Sequence, residues 1–280
     1  MYCDLHTHSH FSDGSFSPAQ IIARAKDAGL TVALTDHNTV SGLPEFMAEA
    51  EKQGVRAIPG IEFSTVCHGT ELHLVGLFID PAHYAYLEGV AEKYHQLKQQ
   101  SNRDLIRRLN DAGYAIDYQD ILARNPKGNI NRAHIATALM EKGYVSSVQE
   151  AFEKLLDESL PYYVPCERLA ITEAIRLFRE IQVVPVLAHP LQDLSEARLR
   201  KILPELIAAG LIGMETQHSS YDDAAIALAT KIAAEFGLLP SGGSDFHGLA
   251  KPNIRLGVVK GNLHIPTAFL EALEAAREQL

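Results

Sequence analysis

The sequence predicts an α/β fold with a barrel-like functional face, and three observations predict it. Short apolar runs alternate with amphipathic helical stretches between Tyr2 and Ile79 and again after Thr172; such alternation builds parallel strands joined by crossover helices. Polar residues able to bind metal follow one run after another, as they do at the carboxyl-terminal face of a barrel. The length, 280 residues, suits one barrel with an insertion.

Taken in order, Tyr2, Cys3 and Leu5 alternate as a first strand. His6 and His8 follow it two residues apart, so both imidazoles point to the same side. Asp13-Gly14 is a turn that brings a carboxylate back toward the strand end. Ser17 and Pro18 start a helix with Ile21, Ile22 and Ala25 as its buried stripe, and Gly29 stops it. Leu30 to Thr35 is the second strand, with Asp36-His37 at its carboxyl end. A helix from Leu43 to Gln53 stops at Gly54; Val55 to Ile58 is the third strand, ahead of Pro59-Gly-Ile-Glu62. Glu71 to Ile79 is the fourth and contains His73.

There the rhythm breaks. Residues 84–113 read as one long helix, with shorter helices at 118–124, 132–142 and 148–156 before the linker from Pro161 to Pro165. This divides the chain into a catalytic barrel, 1–98 and 166–280, and a helical insertion, 99–165. The alternation resumes with a helix over 172–181 and the strand Val183 to Ala188, which ends in His189-Pro190. Next come the strand Leu211 to Thr216 before Gln217-His218, a helix over 222–236, and Leu238-Leu239 ahead of Asp245-Phe-His247. Leu256 to Val259 is a last short strand, and Pro266 starts a final helix.

Composition narrows the function classes. A net charge of -10 argues against a nucleic-acid surface such as double-stranded DNA requires, which is basic. Cys3, Cys67 and Cys166 are odd in number and lack metal-type spacing, which fits a reducing compartment rather than a disulfide framework. No apolar run approaches the length of a membrane span, and with the first ligand at His6 no leader is expected. The expectation is a soluble, cytoplasmic protein with no membrane partner; its oligomeric state is left open.

Nine candidate ligands collect at strand ends: His6, His8, Asp13, His37, Glu62, His73, His189, Asp245 and His247. Asp245-x-His247 repeats the spacing of His6-x-His8. A nitrogen-rich set with three carboxylates suits two or three borderline divalent ions, manganese, iron or zinc, better than magnesium, which prefers oxygen and water.

The motifs Asp-Leu-His-Thr-His-Ser (4–9), Thr-Asp-His (35–37), Pro-Gly-Ile-Glu (59–62), Ala-His-Pro (188–190) and Ser-Asp-Phe-His (244–247) resemble those of the PHP (polymerase and histidinol phosphatase) family of metal-dependent phosphoesterases. The resemblance implies a distorted (β/α)7 barrel with a trinuclear site, manganese foremost. By residue it implies one ion held by His6, His8, Glu62 and Asp245, and a second sharing Glu62 and adding His73 and His189. A third takes Asp13, His37 and His247; many members have His where Asp13 stands, so this site is expected to differ in strength or in ion. The insertion, with Asn131-Arg-Ala-His134 inside it, is similar to the branch that includes nucleoside 3′,5′-bisphosphate phosphatases and the 5′-to-3′ exoribonuclease RNase AM. A nucleotide or short RNA is the substrate so implied.

The charge arithmetic supports phosphoester hydrolysis separately. Three carboxylates carry a formal charge of about -3 and repel phosphate, whereas two ions bring the site to about +1 and three to about +3. The expected nucleophile is a metal-bound hydroxide beside the bridging Glu62, coordination lowering the pKa of water to roughly 7. His218 is a candidate acid for the leaving group, or else a surrounding histidine. Arg132, His134 and nearby Lys127 lie where a helix begins, and the insertion is expected to act as a substrate lid in which they hold a second phosphate. Other readings are a histidinol phosphate phosphatase, a zinc amidohydrolase-type C–N hydrolase and a polymerase accessory module. Glu62 in the bridging position, where amidohydrolases usually place a modified lysine, speaks for the phosphoesterase.

Overall fold

The computed structural model describes residues 2–125, 130–261 and 263–280. The chain divides into two units, Met1–Ala91 with Leu169–Leu280, and Glu92–Arg168. The first begins with β1 (Tyr2–Asp4), α1 (Pro18–Ala28), β2 (Leu30–Leu34) and α2 (Leu43–Gln53). Both helices end on a left-handed glycine, Gly29 and Gly54, whose N–H groups cap the last turn. The hairpin β3 (Ala57–Cys67) and β4 (Thr70–Leu77) follows, and α3 (Tyr84–Asp111) then carries the chain onward.

The second unit contains α4 (Tyr118–Ala123), α5 (Arg132–Glu141) and α6 (Val148–Ala151), the last running into a π-type turn, Phe152–Leu156. It has its own core of Leu105, Leu109, Ile121, Ile135, Leu139 and Leu155. The chain then forms α7 (Ile171–Glu180), β5 (Val184–Leu187), α8 (Pro190–Asp193), α9 (Glu196–Ala209) and β6 (Gly213–His218). Last come α10 (Asp223–Phe236), β7 (Leu239–Gly243), β8 (Ile265–Pro266) and α11 (Thr267–Arg277).

The strands form one sheet in the order β7-β6-β5-β4-β3-β2-β1-β8. Backbone bonds from Leu5 N–H to the Gly242 carbonyl (3.2 Å) and from Asp245 N–H to the His6 carbonyl (2.9 Å) join β1 to the β7 end, which nearly closes the barrel. Gly243 permits this approach: a Cβ there would stand 2.1 Å from the His6 Cβ.

Parallel strands were expected throughout, and three details differ, the first being that β8, at the expected start of the final helix, pairs antiparallel with β1. The strand β3 does not stop before Glu62; it pairs parallel with β2 as far as Pro59 and antiparallel with β4 from Gly60 onward. It changes partner where Gly60 lets the Thr35 methyl and the Gly76 carbonyl come close. So β4 is antiparallel on both sides, and His73 lies within a hairpin rather than at a parallel strand end. Gly76 leaves room for the Phe178 ring, which stacks on Phe63 at 5.4 Å and packs α7 on the hairpin. The strand expected at 256–259 is a turn, with Gly257 left-handed (φ 73°) and its N–H 2.7 Å from a buried Asp4 oxygen.

Candidate metal centre

The carboxyl ends of the strands are pinned by backbone bonds that continue past them. Thr35 N–H reaches the Thr7 carbonyl (2.9 Å), Glu62 N–H the Asp36 carbonyl (3.1 Å), and Ala188 N–H the His73 carbonyl (3.0 Å). Each tie sets the spacing of the ligands beside it. Two buried aspartates hold the loops between. Asp4 accepts from Ser244 N–H and Oγ–H, and Asp36 from Ser9 N–H, Ser9 Oγ–H and Ser12 Oγ–H. Burial raises the pKa of both carboxyls, and these hydrogen bonds work against it.

All nine residues expected as ligands meet in one place, with Glu62 at the middle. Its Oε2 lies 3.1 Å from His6 Nε2, 3.3 Å from His8 Nε2 and 2.9 Å from His37 Nδ1. Its Oε1 lies 2.9 Å from His73 Nδ1 and 3.1 Å from His189 Nε2. Asp245 Oδ1 stands 3.1 Å from His8 Nε2, and Asp13 Oδ1 stands 3.1 Å from His247 Nε2. Sets able to share an ion include His6, His8 and Asp245; His6, Glu62 and His189; His37, Glu62 and His73; His8, Asp13, His37 and His247; and His6, Glu215 and His218.

These contacts fit metal ligands better than a hydrogen-bond network. Among the described residues, ten buried side-chain nitrogen or oxygen atoms lack a hydrogen-bond partner, and eight of them are here: His6 Nε2, both His8 nitrogens, His37 Nδ1, Glu62 Oε2, His189 Nδ1, His218 Nε2 and His247 Nε2. An unpaired buried polar atom is costly, and buried ones normally have partners. Several of these nitrogens stand close to Glu62 Oε2 without the alignment of a shared proton. Ligands about 2.1 Å from a common ion are themselves roughly 3 Å apart, so such spacing is what a shared cation produces.

The ring tautomers point the same way. His6 donates Nδ1–H to Glu215 Oε1 (2.9 Å), and His247 donates Nδ1–H to the Asp245 carbonyl (2.8 Å); both Nε2 lone pairs are thereby directed at the centre. Burial and the field of His37 push His8 down to about 3, a neutral ligand at physiological pH. Burial raises the Glu62 carboxyl, but the fields of His37, His6 and His73 outweigh it and keep the group ionised. Asp245 is likewise held well below the carboxylate range, burial being outweighed by the His8 hydrogen bond and the histidine fields. Two of the candidate ligands carry backbone strain, with φ at 26° for His189 and 56° for Asp245.

Glu215 was not recognised as part of the site. It is 1% exposed and accepts His6 Nδ1–H and His189 N–H, orienting two ligands at once. A signal existed, since Glu215 is an acid inside the apolar run Leu211 to Thr216. His218 lies beside the ligands, its Nε2 3.8 Å from Asp245 Oδ2. Its Nδ1 accepts the Ser220 backbone N–H (3.2 Å), an arrangement that favours the tautomer with the proton on Nε2 and so a donor there, although His6, Glu215 and His218 are also close enough to share an ion.

Two of the other expected substrate residues belong to the second unit. Arg132 belongs to the helical unit, where its guanidinium donates to Glu158 Oε1 (2.8 Å) and the Leu156 carbonyl (3.0 Å). His134 is part of the Asn131 capping box at the start of α5. Lys127 falls outside the described residues.

Barrel and centre together fit a metal-dependent hydrolase. The PHP domain family model matches residues 4–165, and the chain belongs to that family. Two relatives, each 32% identical, are a 5′-3′ exoribonuclease of Haemophilus influenzae, covering 87% of this chain and 89% of its own length, and a 3′,5′-nucleoside bisphosphate phosphatase of Chromobacterium violaceum (87% and 86%). A phosphoribosyl 1,2-cyclic phosphate 1,2-diphosphodiesterase of Eggerthella lenta is 30% identical, over 88% and 94%. Two solved structures share the fold at 28% identity, each covering 98% of this chain and 96% of its own: a candidate metal-dependent phosphoesterase of Bifidobacterium adolescentis (TM-score 0.71) and a Chromobacterium violaceum protein named an amidohydrolase, with sulfate bound (TM-score 0.73). The protein is a phosphoric ester hydrolase, and its centre is built for divalent metal. Among the described residues no helix is long and apolar enough to cross a membrane.

Proposed function

We propose that the protein removes the 3′-phosphate from nucleoside 3′,5′-bisphosphates, with the 5′ ends of short RNA as a second substrate. The observation that carries the reaction is Glu62, a buried carboxylate facing five imidazoles with both oxygens. The substrate reading rests on the full-length likeness to relatives named for bisphosphate nucleotides and for 5′-3′ exoribonuclease action. Two or three ions, manganese foremost, would be held by His6, His8, Glu62 and Asp245, by Glu62, His73 and His189, and by Asp13, His37 and His247. Bound there, they would supply Lewis acidity and a water acidic enough to attack phosphorus at neutral pH.

The chain's own groups do the rest. Glu215 keeps the His6 lone pair on the centre by taking the proton at Nδ1 as a hydrogen bond. Lys251 Nζ donates to Asp245 Oδ2 (2.7 Å), leaving Oδ1 for the centre. His218 was expected as an acid. Burial, only partly offset by the Glu215 field, pushes it down to about 4, so the neutral ring offers Nε2–H as a hydrogen bond to a phosphoryl or leaving oxygen.

A single panel tests the reading: manganese-loaded protein with a nucleoside 3′,5′-bisphosphate, 5′-phosphorylated RNA, histidinol phosphate and a simple amide. The bisphosphate should have the highest kcat/KM, with a nucleoside 5′-monophosphate as its product. Preference for histidinol phosphate or the amide overturns it.

A further inference from the structure

A cavity of about 480 Å³ in the barrel unit opens from the metal centre, with Asp245 and His218 among its lining residues. It is also lined by Lys251, Asn253 and Arg255, and by Val258 from the turn over 256–259 that was expected to be a strand. This segment is held in place. Gly257 N–H bonds the buried Asp4, Lys251 Nζ bonds Asp245, and Arg255 Nη2 donates to the Gly261 carbonyl at 2.9 Å. Both cations therefore belong to a segment tied to the loop that carries Asp245 and His247.

We infer that this cavity takes the nucleoside and the non-reacting 5′-phosphate of the substrate, and that Arg255, with Lys251 beside it, holds that phosphate. The inference rests on the reading above that the substrate carries two phosphates. The volume lies within the roughly 300–1,000 Å³ of small-molecule sites. Its chemistry is divided as such a ligand requires: Arg255 for the dianion, with Lys251, which the dianion would share with Asp245, beside it, an amide in Asn253, and an apolar side in Val258 for the sugar or base. The one lining carboxylate, Asp245, is a candidate metal ligand, so it does not leave an acidic wall against phosphate. Arg132, the earlier candidate for this task, already has its guanidinium paired with Glu158 inside the helical unit.

The remote phosphate contributes binding and positioning, so its loss should appear mainly in KM for substrates that possess it. The test compares kcat/KM for a nucleoside 3′,5′-bisphosphate and for an aryl phosphate, which has no second phosphate, in manganese-loaded wild type, Arg255→Ala, Arg255→Lys and Arg132→Ala. Equilibrium binding of a nucleoside 5′-monophosphate to each gives a second readout. Arg255→Ala should lower the ratio of the two kcat/KM values by about 10-fold or more, as expected for a lost charge-assisted hydrogen bond. It should weaken monophosphate binding similarly, Arg255→Lys should restore part of both, and Arg132→Ala should leave the ratio within about twofold. The aryl phosphate rate reports whether each variant is folded and loaded. An unchanged ratio in Arg255→Ala, or a selective loss in Arg132→Ala, overturns the inference while wild-type preference for the bisphosphate stands. If wild type itself does not distinguish a 3′,5′-bisphosphate from a 3′-monophosphate, the two-phosphate reading fails first, and this assignment fails with it.

Discussion

Buried charge at single positions decides what the centre can hold. Glu215 shows how much depends on a residue outside the ligand set: without it, His6 Nδ1–H and His189 N–H lose their acceptor in a place water does not reach. Glu215→Ala should weaken metal affinity by about 10–100-fold, measured by equilibrium dialysis against manganese; unchanged affinity would mean that His6 is oriented by packing alone. Asp13 is more exposed than the other carboxylates here, at 57% of its side chain, and brings oxygen to a group otherwise made of His8, His37 and His247. Because oxygen is the harder ligand, Asp13→His should shift metal content from manganese toward zinc, and identical content in the two proteins would refute this. His218 as a neutral donor makes a further prediction. His218→Asn should lower kcat by about 100-fold on nucleotide and aryl phosphates alike. A loss confined to the poorer, alkoxide leaving group would restore the role of acid.

Close approach governs the elements. The β1–β7 seam places His6 and Asp245 within reach of one another only because Gly243 has no side chain. Gly243→Ala should cost about 1–3 kcal/mol in denaturant unfolding, or more if the seam opens, and reduce metal content too. Gly89 in α3 is the opposite case, with open space where a Cβ would go, so Gly89→Ala should stabilise by roughly 0.5–1 kcal/mol. Most helices were legible in the sequence to within a residue or two, because Ser17, Gly29 and Gly54 are local signals read by the nearest turn. Strand direction was not. The reversal of β4 depends on contacts of Gly60 and Gly76 with Thr35 and Phe178, which are far apart in the chain. Leu256 to Val259 misled for a similar reason: an apolar run of strand composition is bent by a hydrogen bond to Asp4, more than 250 residues away.

Over the whole molecule, the convergence of the nine candidate ligands was readable because most of them follow apolar runs, and a barrel gathers strand ends from distant parts of the chain. The cavity at Lys251 and Arg255 was not, since nothing in their local sequence says which strand end they face, and Glu215 left only the signal of an acid within an apolar run. An acidic chain, with a net charge of -10, concentrates imidazoles and carboxylates in a centre that depends on cations for its charge balance. Ions that bind only the folded state also stabilise it, so chelation should lower the melting temperature of the protein. The most direct measurement follows metal content and phosphate release together, in chelator-stripped protein titrated with manganese, for wild type and Glu62→Gln. Wild type should be inactive when stripped and regain activity in step with bound manganese. Glu62→Gln, which loses the charge faced by five imidazoles, should bind fewer ions and release phosphate at least about 1,000-fold more slowly while keeping its secondary structure. Stripped wild type that still hydrolyses phosphoester, or Glu62→Gln with normal metal content and rate, would contradict a metal centre organised on Glu62.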